Sequence, residues 1–75
     1  MGLFDIFTLA GDYRKAKKAV ETGKVDTKKA IKIIESIKKL IDVLYDYKDE
    51  LQNVIREVKD ILNKFKKLKE EKESK

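Results

Sequence analysis

From Lys24 to Lys75 the chain contains no glycine, and proline is absent from the whole sequence; the only glycines are Gly2, Gly11 and Gly23. Glycine and proline are the two residue types that penalise a helix interior most. A stretch this long without either can be helical from end to end. Its apolar residues follow a helical period as well. Ile34, Ile41, Lys48, Ile55 and Leu62 recur seven apart, and so do Ala30, Ile37, Leu44, Leu51, Val58 and Phe65. Together they form the 3-4 seam of a heptad helix, with Lys48 the one polar member.

A third set flanks this seam: Ile33, Leu40, Tyr47, Val54, Ile61 and Leu68. Three apolar positions in seven make a stripe wider than a two-stranded coiled coil uses. Such a stripe suits a helix with neighbours on two sides. The opposite face is charged, with acid-before-base pairs at Glu35–Lys39 and Asp60–Lys64.

The segment before it has its own helical face. Leu3, Ile6, Phe7, Leu9, Ala10, Tyr13, Ala16 and Val20 are read as one side of a helix over about 3–22. Gly11 weakens its middle by roughly 1 kcal/mol relative to alanine. Asp12 behind it could cap a fresh start at Tyr13, so the segment reads either as one helix or as an apolar turn followed by a helix. Gly23 is placed to end it in the left-handed conformation. Asp26 is placed to cap the next helix, with Val25 and Ala30 as a hydrophobic staple.

The expected fold is therefore all-α: a short N-terminal helix and one long amphipathic helix over about 27–70, with the polar 69–75 tail frayed. The alternative is a compact three-helix bundle with a turn near 46–50, where Asp49 and Gln52 have the spacing of a capping box. The unbroken heptad phase and the lack of turn residues at that point favour the long helix. Roughly 43 residues of helix would measure about 65 Å and overhang the shorter partner. That overhang predicts an oligomer, with Ile37, Ile41, Leu44, Leu51, Ile55, Val58, Leu62 and Phe65 as its interface.

At 75 residues the chain has room for one domain with a thin core, and charged residues are 44% of it. Domains this small gain stability from disulfides, a metal or a partner. Cysteine and histidine are both absent, which removes disulfides and a zinc site and leaves association, along with very regular helix packing. The lack of cysteine fits a reducing compartment. No apolar run approaches the ~20 residues of a bilayer span. Met1 to Ala10 carries Asp5 and has no basic region before it, so no secretory signal is expected. The expectation is a cytoplasmic protein, at the membrane surface or in a virion as alternatives.

Catalytic chemistry is poorly supplied. Without histidine or cysteine the usual activated nucleophile has no base. Ser36, assigned to the polar side of its helix, and Ser74 in the tail are the only serines. No glycine-rich loop is available for phosphate. No catalytic residue, cofactor, metal or small-molecule substrate is expected. Asp42, Asp46, Asp49 and Glu50 are spaced along one helix edge; that pattern fits a solvated face better than a cation site.

Two basic clusters could meet phosphates or anionic headgroups: Arg14, Lys15, Lys17 and Lys18, then Lys64, Lys66, Lys67 and Lys69. Phe4 projects away from the apolar face, as an anchor for a partner or membrane would. Gly2-Leu3-Phe4-Asp5-Ile6 resembles the opening of amphibian membrane-active peptides of the aurein type. The resemblance covers those five residues and ends at Phe7-Thr8-Leu9, where such peptides carry a lysine pair. It implies an N-terminal segment that dips into a bilayer interface, with Leu3, Phe4, Ile6, Phe7 and Leu9 inserting. The expected function is a non-enzymatic helical interaction or assembly module, such as a small scaffold or accessory subunit, of a kind that phages and mobile elements encode. Its partners would be further copies or another helical protein. Peripheral membrane binding and weak nucleic-acid binding are the alternatives.

Overall fold

The computed structural model describes the backbone of residues 3–74 and the side chains of residues 5–74. It holds three helices: α1 (Leu3–Thr22), α2 (Thr27–Tyr45) and α3 (Gln52–Glu73). Each packs against the other two, in a particle of 40 × 23 × 16 Å. Residues 23–26 and 46–51 reverse the chain, so α1 and α3 run parallel and α2 antiparallel to both. The start of α1, the end of α2 and the start of α3 therefore share one end of the bundle.

The first turn follows local chemistry. Gly23 has φ 73°, and its N–H donates to the Ala19 carbonyl at 2.8 Å. A left-handed residue in this position closes a helix, and glycine takes it without a steric penalty. Asp26 then caps α2: its carboxylate accepts from the Lys28 N–H at 3.0 Å. Ala30 is fully buried, and half-buried Val25 packs against the cluster that contains it. Helix α1 passes through Gly11 without a break, so Asp12 is a mid-helix residue and not a cap.

The second turn corrects the long-helix reading. The chain leaves α2 at Tyr45 and resumes at Gln52, as in the three-helix alternative. Three successive i→i−3 bonds tighten the exit: Asp46 N–H to Val43, Tyr47 to Leu44 and Lys48 to Tyr45. They occupy carbonyls that a helix end leaves open. Leu51 precedes α3 with no side-chain cap, so the Asp49–Gln52 capping box does not form as the cap of α3. The heptad phase survives this break because it is no evidence of continuity. Once the chain reverses, the connection sets the rotation of α3 about its axis, and two separate helices can each present a seven-residue repeat to one core. Folding back also covers a stripe that a straight helix would leave in water, at roughly 25 cal/mol per Å² of apolar area.

The proposed intermolecular seam is thus the core of a single chain. Ile37, Ile41, Ile55, Val58, Leu62 and Phe65 are buried, with Ile37 and Phe65 fully so. Leu44 is partly buried against the same cluster, and Leu51 is half-buried before α3. At the other end, α3 continues to Glu73, into the segment expected to fray, with Lys69 paired to Glu73 one turn on.

Candidate interaction surface

The surface divides into two unlike ends. At the end formed by the α1 start and the α2–α3 turn, large apolar side chains lie open: Ile6 at 38%, Phe7 at 67%, Tyr47 at 59% and Val54 at 42% exposure. Tyr45 is exposed too, but it is engaged: Lys59 Nζ stands 4.7 Å from its ring centroid and donates to its hydroxyl. The other large exposed apolar side chain among the described residues is Ile31, on the outside of α2.

Phe7 overturns its assignment to the buried face of α1. It stands nine residues from Ala16, half a turn round the helix, so a face that buries Ala16 must expose Phe7. Leu9, placed in the same membrane anchor, is buried in the core at 6% exposure. Of that anchor set, Ile6 and Phe7 are exposed; the side chains of Leu3 and Phe4 lie outside the described residues. The acidic group Asp42, Asp46, Asp49 and Glu50 is exposed at this same end, with Lys48 the one basic side chain between residues 42 and 50. Among the described residues no three acidic groups converge on a common point that could hold a metal ion.

The opposite end is basic. Parallel α1 and α3 bring both lysine-rich clusters into one half of the molecule, although they lie far apart in sequence. Val20 of α1 shares a shallow groove with Lys64, Lys67 and Leu68 of α3, and Lys17 pairs with Glu57 across the two helices at 3.6 Å. Residues 13–35 and 62–74 hold thirteen of the nineteen basic side chains and six of the fourteen acidic ones. Lys15 and Lys64 have acidic neighbours, Asp12 at 3.9 Å and Asp60 at 2.9 Å. Lys18, Lys24 and Lys29 have no carboxylate within ion-pair distance among the described residues.

Those lysines edge an open groove of about 500 Å³ between α1 and α2 beside the first turn. Lys15, Lys18, Lys24 and Lys29 edge it, with Asp26, while Ala19, Ile33 and the buried Phe65 supply its apolar lining.

Two interior features position these ends. Ser36 is buried, against its expected place on the polar side of α2; its Oγ donates to Asp12 Oδ2 at 2.5 Å, and Asp12 is itself only 6% exposed. The only cue in the sequence was a mid-helix aspartate, which the presence of Gly11 turned into an expected cap. A buried carboxylate is costly without a donor, so this pair fixes the register of α1 on α2. Tyr13, half-buried between α1 and α3, has its phenol pKa raised above the ordinary value near 10.0, first by burial and then by the Glu57 carboxylate.

No helix among the described residues is long and apolar enough to cross a membrane. Comparison with protein-family models, curated proteins and solved structures finds no match.

Proposed function

We propose that the protein is a non-enzymatic interaction module that docks another protein through the end bearing Ile6, Phe7, Tyr47 and Val54. The observation that carries this reading is the concentration of exposed large apolar side chains at one end of the bundle, with Ile31 the one elsewhere among the described residues. Exposed large aromatic side chains are enriched at protein interfaces. Each side chain left in water at this end forgoes stability that burial would supply, in a domain whose core is already thin. The absence of histidine and cysteine supports a binding role over catalysis.

The acidic side chains at the same end of the bundle favour a protein partner over an anionic bilayer, whose headgroups they would repel. The partner surface that fits is apolar at its centre with basic residues around it. A photo-reactive phenylalanine analogue at position 7 should give a discrete protein adduct in the source cells, and the same analogue at position 31 should not. Equal, diffuse labelling from both positions would overturn the reading.

A further inference from the structure

The basic half of the bundle carries charge that the fold itself does not use. A helix gains from a cation in its last turn, and among the described residues only α3 has one there, Lys72. Lys28 and Lys29 stand in the first turn of α2, where the helix dipole disfavours a cation, and that turn holds no acidic side chain. Residues 13–35 and 62–74 hold an excess of seven basic side chains, whereas residues 1–12 and 36–61 hold an excess of three acidic ones.

Part of this charge converges on one place. Lys15 and Lys18 of α1, Lys24 of the first turn and Lys29 of α2 line the same groove. Three of them, Lys18, Lys24 and Lys29, have no carboxylate within ion-pair distance among the described residues. Asp26, the one acid in the lining, is engaged as the cap of α2. Ile33 and Phe65 are buried beneath, so what the groove offers a ligand is its edge of ammonium groups. Like charges around one groove repel each other, and an anionic chain laid among them removes that repulsion.

The kind of polyanion follows from what stands beside the lysines. Proteins hold single-stranded nucleic acid by stacking its bases on aromatic rings. The aromatics of residues 13–35 and 62–74 are Tyr13, half-buried, and Phe65, fully buried, so neither offers an open face. A bilayer is held by apolar side chains inserted beside the basic ones, and Ile31 is the one large apolar side chain exposed in these segments. A duplex asks for neither, because its outer surface is phosphate at one charge per ~1.7 Å of axis. From this we infer that the lysine-edged groove seats the phosphate backbone of a nucleic-acid duplex, without reading its sequence. The site lies away from the docking end and does not depend on it.

Fluorescence anisotropy of a short labelled duplex, as DNA and as RNA, tests this across a salt series. Four lysines on four phosphates predict that log affinity falls against log salt with a slope of about −3 to −4, or roughly 100-fold between 50 and 200 mM. Lys18→Gln with Lys29→Gln should make that slope shallower by about two. Lys38→Gln with Lys48→Gln removes the same charge outside the basic half and should leave the slope as in the wild type. All four positions are exposed, so both variants keep the fold, which circular dichroism checks.

No binding of either duplex at low salt would overturn the inference. So would equal losses in the two variants, which would mean that net charge acts without a site. A single strand bound more tightly than the duplex would overturn the duplex as ligand. Phosphatidylserine-containing vesicles that carry the wild type on flotation, but not the Lys18→Gln, Lys29→Gln chain, while neither duplex binds, would assign the groove to a bilayer instead.

Discussion

The two turns of this bundle reverse the chain by different means. The turn between α1 and α2 is written in its own residues: Gly23 in a left-handed conformation, then Asp26 over the first turn of α2. The turn between α2 and α3 contains neither device. Residues 46–51 hold no glycine, and Leu51 offers α3 no side-chain cap. What bends the chain there is the gain from laying the apolar face of α3 on α1 and α2, with a run of i→i−3 bonds taking up the carbonyls at the break. One turn is local chemistry, and the other is imposed by tertiary packing. A tertiary turn can hide inside a sequence that reads as an uninterrupted helix.

This difference predicts how each turn breaks. The largest effect should come from the core: Phe65→Ala removes the fully buried ring of α3 and should cost about 3–5 kcal/mol, most of the stability of so small a domain. Hydrogen exchange on the residual folded fraction should show residues 47–51 losing protection before residues 23–28. Equal loss at both turns would mean that the first turn also depends on packing.

Caps should separate the turns next. Asp26→Ala should cost about 1 kcal/mol by urea denaturation, because the Lys28 N–H loses its acceptor. Asp49→Ala, in the tertiary turn, should stay within about 0.5 kcal/mol of wild type. The glycines sharpen the same point with opposite signs. Gly23→Ala forces a side chain into φ 73° and should cost about 1 kcal/mol. Gly11→Ala enters open space in the middle of α1, with nothing within 4 Å, and should stabilise by about 0.5–1 kcal/mol.

The smallest effect belongs to Tyr13, which reports on α1–α3 packing independently of either turn. Its phenol titrates higher in the folded chain than in the unfolded one. Its contribution is therefore fully present below the unfolded value near 10 and is lost as pH rises through the higher folded value. Above about pH 10 the stability of Tyr13→Phe should fall less steeply than that of the wild type.

The same contrast explains which parts of the molecule could be read from residues alone. Helix α1, its end at Gly23 and the start of α2 at Thr27 were all readable, because the signals were glycine, a capping aspartate and an apolar period. The apolar stripe was also readable as a buried face; what could not be read was whether it would be buried by its own chain or by another. Periodicity records which side of a helix is apolar and says nothing of what covers it. The interaction surface followed the same rule. Phe7 belongs to the apolar set of α1 by residue type, although its angle on the helix opposes Ala16. The two basic clusters were visible, but their meeting in one half of the molecule depended on the second reversal. The acidic edge at residues 42–50 was visible too, but its place at one end of the bundle followed only from the second reversal. The Asp12–Ser36 pair was hidden because each residue, taken alone, had an ordinary solvent-exposed explanation.

Small-angle scattering of the dilute chain at high salt tests the second reversal most directly. The bundle predicts a longest dimension near 40 Å and a radius of gyration near 12.4 Å before hydration. A longest dimension of about 65 Å or more would mean that α2 and α3 form one helix. The single-chain core and the basic half would then not exist.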